Sequence, residues 1–166
     1  APLTHNGTLN GSAPHADSRD MAFAANGALI QTDDGGVYVR TFPRTTTGDW
    51  FSINGNIAVT EMHSMDVDRV SNIVVSGNQD TGSSEQMASG NQDWVTINQG
   101  DGGDVAIDST SVSNQSIRYT SAQTLSGFRR EFFDRNSNLL AREFPNLIVI
   151  GGRPLEPQFT TPVILN

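Results

Sequence analysis

Short apolar stretches recur along this chain, each alternating with polar residues and each broken within a few positions by Gly, Asn, Asp or Ser. Three of them open in the same way: Asp20-Met-Ala-Phe-Ala24, Ser64-Met-Asp-Val-Asp68 and Asp104-Val-Ala-Ile-Asp108, with starts 44 and 40 residues apart. Period-two alternation over such short lengths predicts half-buried strands. Each opening is followed by a turn and a second apolar stretch, over 28–34, 72–77 and 116–122. In the first two cases a tryptophan strand closes the set, Asp49-Trp-Phe-Ser-Ile-Asn54 and Asp93-Trp-Val-Thr-Ile-Asn98, again 44 residues apart. In the third its place is taken by 139–144. A helix over 126–142 competes for part of this region. Asn136 and Asn138 interrupt it, and Phe132-Phe133-Asp-Arg-Asn-Ser-Asn138 reads better as strand, turn, strand.

A repeat of about 40–50 residues with four short strands is the pattern of a β-propeller blade. The expected fold is therefore all-β, with propeller-type blades of four antiparallel strands. The expected units are 15–60, 61–100 and 101–152, after an irregular lead-in at 1–14 and before a Pro-rich strap at 153–166. Phe159 and 163–165 are the strap positions able to dock. In a blade the first strand lines the central channel and tolerates small or polar residues. Trp50 and Trp94 are then expected to pack between sheets, with sugar stacking as the alternative role. The competing fold is a β-sandwich of about a dozen strands.

Composition narrows the function. The 166 residues include no Cys, 36% are hydrophobic and 17% charged, against about 45–50% and about 25% in ordinary domains. Gly, Ser, Thr, Asn, Gln and 13 Asp fill the deficit. All ten basic residues are Arg, and the net charge is −8. Such a chain is repelled by nucleic acid and anionic lipid, whose binding requires neutralising phosphates. No apolar run exceeds five residues, the aliphatic run 147–150 included, so no membrane-spanning segment is expected. No charged and apolar leader opens the chain, so a signal peptide is expected to be already removed or to lie outside it. Without Cys there is no disulfide framework, thiolate zinc site or cysteine nucleophile. An Asp-rich, Lys-free surface suits an extracellular, cell-surface or salty setting.

The order of motifs resembles a known group. His15-Ala-Asp-Ser-Arg-Asp20, Asp33-Asp-Gly-Gly-Val-Tyr38, Trp50 with Asn54, Gln79-Asp-Thr-Gly82, Trp94 and Gly100-Asp-Gly-Gly-Asp-Val-Ala106 follow one another over about residues 15–130. This is similar to the BNR/Asp-box-related propellers of sortilin-like proteins and xyloglucan-degrading endoglucanases. In that group H-x-D-x-H precedes D-G-G-x-Y, and Q-D-N-G precedes G-D-G-G. Here Arg19 or Asp20 replaces the second His, and Thr81 stands where Asn is usual. Thr46-Thr-Gly-Asp-Trp50 is only a compressed relative of the full Asp-box. The resemblance implies a propeller and leaves the activity open, because one fold hosts many functions. The arginine triad, Tyr nucleophile and acid of a sialidase do not assemble. Three blades do not close a ring of about 4–8. The expected partners are therefore the remainder of a larger propeller chain, or copies of this one.

Several clusters carry possible chemistry. Alternation puts His15, Asp17 and Arg19 on one face and Asp20 on the other, either as an acid–base set or as an ion-paired network. Asp33-Asp34-Gly35-Gly36 and Asp101-Gly102-Gly103-Asp104 read as tight turns in which Gly supplies positive φ and Asp accepts backbone N–H bonds. The functional alternative is Ca²⁺ held by Asp33, Asp101 and Asp104, with Asp66 and Asp68 as a helper pair. Neither motif has EF-hand spacing. By alignment Asp34, Asp80 and Gln123 are equivalent, and with Gln79 they suggest a polar ring that hydrogen-bonds a glycan. His15, Arg19 and Arg129, the last adjoining Arg130, complete the candidate ligand set. In a glycosidase two carboxylates about 5–10 Å apart flank the bond, which makes Asp17, Asp34 and Asp80 the catalytic candidates. His5 and His63 stand apart, which disfavours a transition-metal site. The leading expectation is an extracellular, non-catalytic binding or structural module, glycan-facing and calcium-stabilised. The alternatives are part of a glycoside hydrolase or lyase propeller, and a self-assembling coat or filament subunit.

Overall fold

Strands form where Val, Ile, Thr, Tyr and Phe gather, and they stop where Gly, Asn, Asp and Ser supply turn geometry. The computed structural model describes residues 3–166, so the first two residues of the lead-in lie outside it. It is all-β, with three four-stranded antiparallel sheets, none of them closed on itself. Contacts divide the chain into two units, Ala1–Thr60 and Glu61–Asn166.

The first unit holds one sheet in sequential order, β1 (Asp20–Phe23), β2 (Leu29–Asp33), β3 (Gly36–Arg40) and β4 (Trp50–Ser52). A two-residue turn joins β2 to β3, with Asp33 opposite Gly36. Gly36 has φ of 120°, and a Cβ there would run into the Asn54 side chain. The lead-in is structural. Arg40 is completely buried and donates to Leu3 O at 2.8 Å, Gly7 O at 2.7 Å and Thr45 O at 2.9 Å. Buried Trp50 donates its indole N–H to Leu3 O at 2.6 Å. Asp49 accepts from Asn10 N, Asn10 Nδ2 and Ser12 Oγ. Two charged side chains thus tie down a segment with almost no apolar pattern of its own.

The second unit holds two sheets. One is β5 (Met62–Asp68), β6 (Ile73–Asn78), β7 (Gly82–Gln86) and β8 (Trp94–Asn98). The other is β9 (Ala106–Asp108), β10 (Gln115–Thr120), β11 (Arg129–Asp134) and β12 (Leu139–Glu143). The span 126–142 is therefore strand, turn, strand, and Asp134 Oδ1 caps the turn by accepting from Asn136 N and Asn138 N. First strand meets first strand: Ser64 Oγ accepts from Val105 N and Asp66 Oδ2 from Ile107 N. The interior mixes Ile73, Val75, Ile117 and Phe133 with fully buried Ser76, Ser83, Ser116, Arg118 and Thr120.

Two expectations change here. Gly102 and Gly103 do not adopt positive φ; in that motif only Gly100 does. Their role is close approach. A Cβ on Gly103 would strike Ser121 Oγ, one on Gly102 would strike the β6 backbone at Gly77 and Asn78, and one on Gly77 would overlap Gly103 O. The two tryptophans also differ. Trp50 is 5% exposed beneath the lead-in, whereas Trp94, on the edge strand β8, is 36% exposed.

Candidate functional site

In the second unit the turn after β6 brings Gln79 and Asp80 to Asp101. Asp101 Oδ1 accepts from Gln79 Nε2 at 2.9 Å and from Asp80 N at 2.9 Å. Asp80 occupies the left-handed region, φ 58°, a conformation that Asp tolerates better than most residues. Asp101 and Gln123 bond reciprocally: Asp101 N donates to Gln123 Oε1 at 3.1 Å, and Gln123 N donates to Asp101 O at 2.7 Å. Of the expected ring of Asp34, Gln79, Asp80 and Gln123, the last three belong to this unit and meet around Asp101, while Asp34 belongs to the first unit. Asp80 is the exposed carboxylate of this cluster.

In the first unit Arg19 reaches Asp34 through Nε and Nη2, each at 2.7 Å. His15 lies over the turn, so close that a Cβ on Gly35 would collide with it. Asp17 is exposed with φ 57°. Asp34, expected in the ring with Asp80 and Gln123, is thus the ion-pair partner of Arg19, beside a turn that His15 covers.

The carboxylates expected to bind calcium accept N–H bonds. Asp33 is buried and accepts from Gln31 Nε2 and Gly35 N. Asp104 accepts from Val105 N through Oδ1 and from Val163 N through Oδ2. Asp66 accepts from Val67 N and Ile107 N. The abundance of Asp is largely turn and strand capping. Asp68 Oδ1 accepts from Val70 N and Ser71 N, and Asp108 Oδ1 from Thr110 N and Ser111 N. The Ser111 and Thr110 bonds hold the Asp108 carboxyl well below the usual carboxylate range.

Arg129, a candidate ligand residue, is instead a packing residue. It is buried, donates to Thr120 Oγ1 and Ile97 O, and pairs with Glu131 at 3.0 Å. Its neighbour Arg130 makes an exposed pair with Glu143. His63 is likewise structural: Nδ1 lies 3.1 Å from Gly102 O and 3.2 Å from Thr160 Oγ1, and its ring meets Phe159 edge-on.

A buried centre went unforeseen in the sequence. Arg118, in β10, donates to Asp68 Oδ2 through Nη2 at 2.6 Å and Nε at 2.9 Å, and to Glu85 Oε2 through Nη1 at 2.7 Å. Nη2 also reaches Ser71 and Ser137, and the guanidinium sits 3.8 Å from the centre of the Phe133 ring. Burial alone raises the Asp68 carboxyl, but hydrogen bonds from Ser116 and Arg118 outweigh it and leave the group below its ordinary value. Burial raises Glu85, and Arg118 offsets this only in part. These groups lie inside the packing between sheets, so their shifts describe an ion network. Beside it, a groove of about 700 Å³ runs along β5 and β9 and is flanked by residues 163–166.

Comparison with models of known families, with characterised proteins and with solved structures finds no match to this chain. No helix among the described residues is long and apolar enough to cross a membrane.

Proposed function

We propose that the chain is a non-catalytic binding and structural module of the propeller type, working at the cell surface or outside the cell as part of a larger propeller. The observation that carries this is the way the two sheets of the second unit meet. Side chains of β5 accept N–H bonds from β9, and Arg118 of β10 pairs with Asp68 of β5 and Glu85 of β7. First strand beside first strand, with later strands packed face to face, is what neighbouring blades require. The polar rim of Gln79, Asp80, Asp101 and Gln123 offers amide and carboxylate groups suited to glycan hydroxyls. Calcium enters as a stabiliser of the Asp-Gly turns, not as a reagent.

The exposed apolar side chains Leu139, Leu140 and Phe144, on and just after β12, support the companion reading that the open units are covered by further protein. Native mass by light scattering, in Ca²⁺ and then in chelator, tests both points. The expected result is a discrete particle heavier than 17.9 kDa that loosens in chelator. A concentration-independent monomer, equally stable in both buffers, would contradict the proposal.

A further inference from the structure

We propose that the first unit carries a binding cleft for an acidic sugar, a uronate whose ring stacks on Phe23 and Phe42 and whose carboxylate pairs with Arg44. The proposal goes beyond the glycan-facing rim, which belongs to the second unit, and does not rest on it. The cleft has a volume of about 570 Å³ and opens between the β1–β2 turn and the loop that follows β3. Phe23, Asn26, Phe42, Pro43, Arg44 and Thr45 line it. Phe23 is 62% exposed and Phe42 68%, so two large rings face water within one small cleft. Apolar side chains that are scattered singly over a surface need no explanation, but gathered in a concavity they mark a ligand site.

Phe42 is held there against its own preferences. Its φ is 43°, a left-handed conformation that costs a bulky residue stability, and Pro43 narrows its choices further. The loop imposes that conformation. Phe42 O accepts from Thr45 N and from Thr45 Oγ1, each at 3.1 Å. Buried Arg40 donates to Thr45 O at 2.9 Å, and Thr41 N donates to Asp49 O at 3.1 Å. A Cβ on Gly48 would overlap Thr41 O, so the loop closes tightly on itself. The turn on the other side is fixed as well: Gly27 N donates to Ala24 O at 2.9 Å, and Ala28 N to Asn26 Oδ1 at 3.1 Å. A strained, exposed aromatic on a rigid frame is the arrangement of a preorganised site.

The polar groups choose the ligand. The chain has 18 acidic residues, yet none of them lines the cleft. Arg44 is exposed and has no hydrogen bond or ion pair among the described residues, unlike Arg40, Arg118 and Arg129. Asn26 spends Oδ1 on its own turn, which leaves Nδ2 as a second donor. Both free groups only donate. A neutral sugar offers hydroxyls that donate as readily as they accept. A carboxylate only accepts, and a guanidinium takes it in bidentate fashion. The cleft is open, which suits the flat C–H face of a pyranose laid on a ring; an alkyl tail gains most where it is fully enclosed. Asp80 and Asp101 on the rim disfavour the same anion, so a uronate distinguishes the two sites.

Calorimetric titration of the full chain with tetragalacturonate, and with its methyl ester, tests this. The acid is expected to bind saturably, and more weakly as salt rises. Arg44→Ala should lower the affinity for the acid by about 10–100-fold, the loss of a charge-assisted pair, and leave any binding of the uncharged ester as it is. Phe42→Gly should lower the affinity by about 3–10-fold while Tm holds or rises, because glycine takes the left-handed conformation freely. Arg135→Ala, which removes an exposed cation from the second unit, should change nothing. No heat with the acid would overturn the proposal, as would an affinity untouched by Arg44→Ala, or losses of equal size for acid and ester. A Tm that falls by more than about 3 °C in Phe42→Gly would make Phe42 a packing residue and overturn it too. So would self-association of the chain that this change abolishes, which would give the cleft to a second copy. Binding of neutral sugars at the rim does not depend on Arg44, so each proposal can fail separately.

Discussion

Replacing Arg118 with Ala removes the cation from a site in which Asp68 has no access to water and Glu85 very little. Asp68 keeps the Ser116 hydroxyl and the Val70 and Ser71 amides, but it becomes a buried charge without a counter-charge. Deleting one partner of a buried pair costs about 3–5 kcal/mol, because the other is left uncompensated. The cation–π contact with Phe133 lies within that figure, at about 1–2 kcal/mol. For a unit of this size the total corresponds to a fall in Tm of roughly 10–20 °C. Arg118→Lys should lose about half as much, since one ammonium cannot reach Asp68, Glu85, Ser71 and Ser137 together. The double change Arg118→Met with Asp68→Asn should recover part of the loss, because Asp68 is then not left charged, while Glu85 still lacks its cation and keeps the remainder. Thermal melts followed by circular dichroism read all three, with exposed Arg135→Ala as the control. The reasoning is refuted if Arg118→Ala melts within about 2 °C of that control, or if the double variant loses the sum of the single losses.

Acid should destabilise the fold. Asp68, Asp108 and Asp134 are held below the ordinary carboxylate value, so each contributes stability that is present above the unfolded value and lost as pH falls through the folded one. Glu85, raised by burial, acts in the opposite sense and gains stability as it protonates, but it is outnumbered. Tm should therefore drop below about pH 4, and Asp108→Asn should flatten that drop; a Tm that holds or rises there contradicts the assignment. Gly77→Ala should cost about 1–3 kcal/mol or more, because its Cβ meets the backbone oxygen of Gly103, and an unchanged denaturant midpoint would show that the two segments part easily. Asp49→Ala should release the lead-in from Asn10 and Ser12, shift Trp50 fluorescence to the red and speed proteolysis near residues 3–12. Wild-type emission and cleavage would remove that role.

Strand positions were legible because alternation and turn residues are local. The openings at Asp20, Ser64 and Asp104, the Trp strands and the strand–turn–strand at 129–143 all rest on such signals. The positions Asp34, Asp80 and Gln123 were singled out because they follow the second strand of each repeat, but Asp101, which draws Gln79, Asp80 and Gln123 together, was read only as a turn or calcium residue. Arg118 was not. In Ser116-Ile-Arg-Tyr-Thr120 the apolar residues suggest an inward face of Ile117 and Tyr119, yet Ser116, Arg118 and Thr120 are the fully buried set. Their partners, Asp68 and Glu85, lie 50 and 33 residues away, and no local pattern announces a charge satisfied at that distance. The lead-in was missed for the same reason: its anchors, Arg40 and Asp49, belong to a later part of the chain. The glycine pairs misled in a different way. Positive φ is the usual reason for Gly in a turn, but Gly102 is small because the β6 backbone lies against it and Gly103 because the Ser121 hydroxyl does.

The central claim is a module that binds and does not turn over. A panel of neutral oligosaccharides, titrated calorimetrically into the chain in Ca²⁺ and then assayed for new reducing ends, tests it most directly. The account predicts saturable heat, lost in Asp80→Asn, with no release of reducing ends. Reducing ends that accumulate with the wild type and stop with Asp80→Asn would contradict it, as would the absence of any binding heat.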